Sequence, residues 1–338
     1  MRALAIALVV LGGSACGGRT PLIVDLRPED DAGRPPEGGL DVDGSPVTDA
    51  AVDAPPPDCV PGPPVVLAQK QSPTAIAVRG GRVYWSDETG ARSVAKAGGP
   101  IQDHGPAAES WGIAVDDAHV FWSDRSGPLR SAPAAGGGPV TVLAQSAFGD
   151  GLTVDATHVY WADNGASVWR VRKTGGPLER IATGLQAPVD VAVDGELVYW
   201  TEWIGGDVSS APLSGGLASV VAGGTEYAYQ VAVDSGFVYW TKQGTPGLVL
   251  RAPKTGGAAD TLASGNTPNG IAVDSSFVYW TDLVAGTVFK TPLGGGPSVP
   301  LATSQEYARA IAVDGDCVYW TDDCCADTGG GYVMKAHK

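Results

Sequence analysis

Apolar positions along this chain keep no helical spacing. They fall into short runs of Val, Ile, Leu and aromatics separated by Gly, Pro and Asp, which is the pattern of strands and tight turns. One phrase returns seven times: a small apolar triplet, usually an Asp, a short turn, then Val-Tyr-Trp or Val-Phe-Trp followed by a small residue and, in most copies, an acid. The copies start at Ile76, Ile113, Leu152, Val191, Val231, Ile271 and Ile311, and their aromatic pairs end at Trp85, Trp122, Trp161, Trp200, Trp240, Trp280 and Trp320. Self-similarity at a period of about 40 residues, with strand-like runs in every copy, predicts an all-β fold, a seven-bladed β-propeller.

The sixth copy shows how one repeat becomes one blade. Gly270-Ile271-Ala272-Val273 reads as strand a, Phe277 to Thr281 as b, Thr287 to Lys290 as c and Val299 to Ala302 as d. The inner strands are apolar on both faces, as blades packed face to face require, and the Trp of strand b supplies the large buried surface between blades. Asp116, Asp155, Asp194, Asp234, Asp274 and Asp314 follow strand a, where an Asx side chain sets the hairpin. Glycine pairs recur between c and d, from Gly98-Gly99 to Gly295-Gly296, so the 48 glycines signal turns. The last copy stops at strand c, Tyr332 to Lys335. Its missing d strand matches Val65-Val66-Leu67-Ala68 near the other end, which predicts that this run closes the ring and removes two exposed sheet edges.

Tyr-Trp-Thr-Asp at 279–282 and 319–322 resembles the YWTD repeats of lipoprotein-receptor-type propellers and, more loosely, NHL-type repeats. The resemblance covers about residues 62–338 and implies the fold. It departs in number, since those propellers have six blades. The repeat residues are scaffold, so the family's partners do not transfer with them.

Residues 1–15 read as a signal peptide: Arg2, then an apolar run from Ala3 to Leu11 too short to span a bilayer. Ser14-Ala15-Cys16 resembles the end of a bacterial lipobox, with Gly13 where Leu is preferred, which implies lipidation of Cys16 and an outer-membrane lipoprotein in the bacterial envelope. Ordinary cleavage after Ala15, giving a secreted or periplasmic protein, is the alternative. Residues 16–61 shift to Pro, Gly, Ala and Asp, with ten acids against Arg19, Arg27 and Arg34, nearly half of the formal charge of −15. So little apolar material cannot offset its ordering entropy, and a disordered tether is expected ahead of a propeller over 62–338. No basic patch points to nucleic acid.

Beyond Cys16, four cysteines allow three pairings. Strand order puts Cys59, just ahead of the closing strand, on the same side as Cys317 at the start of a strand b, and favours that bond. Cys324 and Cys325 are then left to a vicinal bridge or to free thiols; four reduced or otherwise paired cysteines are the competing arrangement.

Catalysis needs convergent polar groups where the repeat breaks its pattern. His119 and His158 occupy a slot held elsewhere by Leu197 or Phe237, His104 falls in an expected loop, and His337 is at the end, so no His cluster for a metal or a triad is visible and no catalytic residue is assigned. The loops from d to a do diverge: Thr74, Trp111, Asp150, Asp190, Tyr229, Gln230, Asn269 and Arg309 rim the expected channel mouth, where propellers bind ligands. Asp150, Asp190 and Asn269 resemble oxygen ligands for a Ca²⁺ ion of the lactonase-like kind; the competing reading is solvated loop carboxylates. Trp203, Tyr227 and Tyr307 belong to the same face, and the shared register of Tyr227 and Tyr307 predicts that they pack between blades. The expectation is a non-catalytic envelope lipoprotein whose propeller binds a protein, glycan or small ligand. The alternative is a metal-assisted lyase or lactonase at the channel mouth, against which the absence of a His in these loops counts.

Overall fold

The computed structural model describes residues 59–69, 71–124, 127–145, 151–163, 165–323 and 330–338. Within these the chain forms seven four-stranded antiparallel sheets and no helix. Blades 1 to 6 each run a-b-c-d outward in chain order; blade 4, for example, uses Pro188–Val193, Leu197–Glu202, Val208–Pro212 and Ser219–Ala222. Blade 7 takes a, b and c from Ala308–Asp314, Cys317–Asp322 and Tyr332–His337, and its outer strand from Val65–Gln69, which pairs with Tyr332 to Lys335. The innermost strands pack on one another in a circle that returns from blade 7 to blade 1. The Cys59–Cys317 disulfide, Cα–Cα 5.6 Å, ties the start of the closing strand to strand b of the same blade. Cys16, Cys324 and Cys325 lie outside the described residues.

The repeat phrase builds the core as expected. All seven tryptophans of strand b are fully buried, and each blade's tryptophan packs with the neighbouring blade's Tyr or Phe in one apolar cluster, such as Trp240 with Tyr199 or Trp161 with Phe121. The turn aspartates act as drawn from the sequence and do one thing more. Asp194 accepts from the N–H groups of Glu196 and Leu197 with Oδ1, both 2.8 Å, while Oδ2 takes the Tyr199 hydroxyl at 3.0 Å and the Lys254 ammonium of blade 5 at 2.6 Å. The same inter-blade pair recurs as Lys173–Asp116, Lys338–Asp274 and Lys96–Asp314. Where the next blade carries Leu in place of Lys, an Arg on strand c bonds that leucine's carbonyl instead, Arg170 to Leu213 and Arg251 to Leu293.

One strand was not legible. Residues expected as loop form the outer strand of blade 1, Gln102–Pro106, so His104 is in a strand and not in a loop. Its sequence, Gln-Asp-His-Gly-Pro, has no strand periodicity. The position is fixed by tertiary bonds: the buried His104 meets Ser93 Oγ through Nε2 at 2.8 Å and the Pro133 carbonyl of blade 2 through Nδ1 at 3.2 Å. Burial holds its imidazole below the usual pKa, in keeping with a neutral ring in a structural role.

Candidate functional site

The diverging residues sit at the start of strand a, where the register itself breaks. In blade 4, Pro188 pairs with Glu202 and Val191 with Trp200, so Val189 and Asp190 together face Thr201. The same bulge puts Tyr229-Gln230, Asn269-Gly270 and Arg309-Ala310 opposite Thr241, Thr281 and Thr321, and in blade 2 Trp111 is the extra residue. A bulge bends the strand and re-aims its side chains. Here it turns them into the mouth of the central channel.

The threonines that face the bulges are fully buried and stitch blade to blade. Thr241 accepts the Gln230 N–H of its own blade at 3.1 Å and donates to the Asn269 carbonyl of the next at 2.8 Å. Thr281 links Gly270 N–H, 2.8 Å, to Arg309 O, 2.6 Å, and Thr201 links Asp190 N–H to Tyr229 O. The acid that follows braces the loop above. Asp282 accepts the N–H groups of Asn266 at 2.6 Å and Thr267 at 3.1 Å, and Asp322 those of Glu306 at 3.2 Å and Tyr307 at 2.7 Å. Burial outweighs those bonds at Asp322 and raises its pKa. The Thr and Asp of the repeat phrase therefore fix the backbone that carries the rim. Sequence reasoning missed this role, although the hydroxyl in six of the seven copies, with Ala162 as the exception, was a usable signal.

Thr74, Trp111, Gly151, Val189, Asp190, Tyr229, Gln230, Asn269 and Arg309 line one cavity at the mouth, so seven of the eight sequence-predicted rim residues come together; the eighth, Asp150, lies outside the described residues. The cavity encloses about 330 Å³, part of it open to solvent. Small residues make the close approach: a Cβ on Gly151 would meet Asp190 Oδ1 at 2.3 Å, and one on Gly270 would meet Arg309 O at 2.3 Å.

The side chains are held unequally. Asp190 is half-buried, and its Oδ2 accepts the Val231 N–H of blade 5 at 3.0 Å, so it is not a simple solvated loop carboxylate. Arg309 stacks on Trp111, 4.8 Å to the ring centre, and pairs with Asp323 at 3.1 Å. Asn269 is only 3% exposed, and its Oδ1 has no hydrogen-bond partner among the described residues. Trp203 packs edge-on against both Tyr227 and Tyr229, at 5.2 and 5.8 Å. Tyr227 meets the neighbouring blade's Trp203, while Tyr227 and Tyr307 are 42% and 46% exposed; at Tyr227 the chain turns at a positive φ of 68°. Among the described residues no three His, Cys, Asp or Glu side chains are grouped to hold a metal ion.

No protein-family model and no curated protein matches the chain. The fold does match solved structures. One is a chain of a nidogen/laminin complex, 22% identical, TM-score 0.52, over 61% of this chain and 85% of that one. Another is a putative oxidoreductase (glucose dehydrogenase) of Thermus thermophilus, 15% identical, TM-score 0.53, over 67% and 96%. A third is BamB of Moraxella catarrhalis, 13% identical, TM-score 0.54, over 82% and 99%. At these identities the likeness is one of fold. This chain is a seven-bladed β-propeller.

Proposed function

We propose that this protein is a non-catalytic lipoprotein of the bacterial envelope, anchored through Cys16, whose propeller binds a partner at the channel mouth. The observation that supports this reading most is the convergence of seven diverging residues on one cavity, over a hydrogen-bonded scaffold whose hydroxyl recurs in six of the seven blades. Scaffold needs account for the ring; recognition is the simplest reason for a varied rim on rigid strands. Solved neighbours of the same fold include a chain from a complex of two proteins, which agrees with a binding role.

The test is a set of mouth variants. Trp111→Ala and Gln230→Ala should each weaken capture of envelope partners at least tenfold in a quantitative pull-down, with the circular dichroism spectrum unchanged. Turnover of a lactone or cyclic ester that the same substitutions abolish would replace binding by enzymatic chemistry. A melting temperature that falls on chelation and returns only with Ca²⁺ would place an ion in the mouth and revive the lactonase-like alternative.

A further inference from the structure

Six of the seven seams between blades are bridged, among the described residues, by a cation that stays charged at neutral pH. Four use the pairs Asp116–Lys173, Asp194–Lys254, Asp274–Lys338 and Asp314–Lys96, and two use Arg170 on the Leu213 carbonyl and Arg251 on that of Leu293. The seam between blades 1 and 2 has none of these. Arg79 stands where the aspartate follows strand a, Ala134 where the lysine follows strand c, and Ser93 where the arginine pairs with the repeat tyrosine. Arg79 does reach Asp117 of blade 2, but both are exposed, and such a pair holds little.

His104 fills the gap from the outer strand of blade 1. Its Nδ1 lies 3.2 Å from the Pro133 carbonyl of blade 2, and its Nε2 lies 2.8 Å from Ser93 Oγ. A carbonyl only accepts, so Nδ1 carries the proton. Ser93 Oγ already receives the Arg82 Nε–H at 3.0 Å, which leaves the serine hydrogen for Nε2. The bridge thus runs from Arg82 through Ser93 and a neutral imidazole to blade 2, with both ring nitrogens committed.

A second proton, on Nε2, breaks this chain at Ser93. The hydroxyl would face two cationic donors, and the imidazolium, in a residue only 5% exposed, would sit close to the Arg82 guanidinium. Asp103, on the same strand, opposes this, but it is exposed and its Oδ1 takes the Gly105 N–H at 2.8 Å. The other titratable neighbour is Tyr84, whose ring centre is 5.6 Å away and whose hydroxyl turns to the Ala134 carbonyl at 3.4 Å. Burial and Arg82 outweigh the Pro133 carbonyl and Asp103 and hold the ring below the ordinary 6.5. A groove of about 850 Å³, part of it open to solvent, is lined by Asp103, His104 and Gly136 to Gly138 and gives protons a way in.

We infer that the seam between blades 1 and 2 is an acid-sensitive latch: proton uptake by His104 breaks its bond to Ser93, drives the charged ring toward the groove and lets the outer strand Gln102–Pro106 open from blade 2. The six cation-bridged seams stay shut. Trp122 Nε1–H on the Pro106 carbonyl, 3.2 Å, and the Gln102 amide on the Ala135 carbonyl, 2.7 Å, do not titrate, so the strand loosens without leaving the ring. A folded pKa below the unfolded one means that this hold is complete above 6.5 and is lost as pH falls below it. Asp194 and Asp274, held at about 2, stay ionised over that range, so the opening is local.

Hydrogen exchange read by mass spectrometry on the mature protein, at pH 7.5 and 5.5 with rates corrected for the intrinsic effect of pH, tests the latch. Amides within Gln102–Pro106 should open at least tenfold more often at pH 5.5, and those of Glu179–Thr183, the outer strand of blade 3, should not change. His104→Gln keeps a donor and an acceptor without a titrating ring and should abolish the difference. An NMR titration should place His104 below 6.5, and Arg82→Met should raise it. Exchange at Gln102–Pro106 that ignores pH, or a His104 titration at or above 6.5, would overturn the latch. A pH effect that persists in His104→Gln, or that Glu179–Thr183 shares equally, would overturn it and place the acid response elsewhere in the ring. If His104→Gln does not fold, the exchange of the unaltered protein and the Arg82→Met titration decide between the same outcomes.

Discussion

At the scale of single residues, the most telling side chains are those that never touch a ligand. Thr241 Oγ1 serves a half-buried donor in its own blade and a buried acceptor in the next. Thr241→Val keeps shape and volume but leaves Gln230 N–H and Asn269 C=O unmatched, so denaturant unfolding should show a loss of about 1–3 kcal/mol. Blade 3 solves the same position differently: Ala162 stands where the other blades carry a hydroxyl, and its own N–H bonds the Gly151 carbonyl at 3.3 Å. Acid sensitivity is set by the turn aspartates. Burial alone would raise the pKa of Asp194, but the Lys254 ammonium, the N–H groups of Leu197 and Glu196 and the Tyr199 hydroxyl outweigh it and hold the carboxyl at about 2. Asp274 is held at about 2 in the same way, with Lys338 as its cation. Folded values below the ordinary 3.8 mean stability that is present above that pH and lost as pH falls toward 2. Unfolding free energy measured from pH 5 to pH 2 should therefore fall, and the double variant Lys254→Met with Lys338→Met should flatten the slope.

At the scale of elements, the closing strand carries the ring. Val65–Gln69 supplies the outer edge of blade 7, and Cys59 fastens it to Cys317 across 258 residues of sequence. Deleting residues 60–69 exposes the edge of strand c and removes buried Leu67 and Ala68, so the whole propeller should lose cooperative unfolding, not blade 7 alone. Replacing both cysteines by serine keeps the strand and removes only the cross-link, which should cost about 2–5 kcal/mol on thermal or denaturant unfolding, with the native near-UV spectrum retained. Strand identity was legible wherever a run was apolar and bounded by turn residues. Gln102–Pro106 was not, because a short outer strand can be placed by neighbours, through His104 on Ser93 and Pro133, with no periodicity of its own.

At the scale of the whole molecule, a binding face on the rigid ring is useful only if it is presented somewhere. Cys16→Ser should move the protein from the detergent-extracted membrane fraction to the soluble periplasmic or extracellular fraction; an unchanged distribution on fractionation would remove the lipid anchor from the proposal. Stable anchoring requires more than one acyl chain on that cysteine, since a single chain binds only marginally. With the anchor removed, the propeller should keep its melting temperature.

By itself the sequence determined the blade count, the closure and the position of the mouth, because a repeated phrase reports the same local demands seven times and an unmatched strand at each end has one partner left. It also placed the seven described rim residues, through their departure from the repeat. Only the tertiary structure decided how those residues are aimed and held. The two-against-one bulge at Asp190 and Gln230, the Thr relays from blade to blade, the Val231 N–H on Asp190 and the unmatched oxygen of Asn269 all depend on where a neighbouring strand lies to within a few tenths of an ångström. Local pattern specifies which residues are apolar and where the chain turns; it carries no record of the distance to the next blade, and hydrogen bonding is governed by that distance.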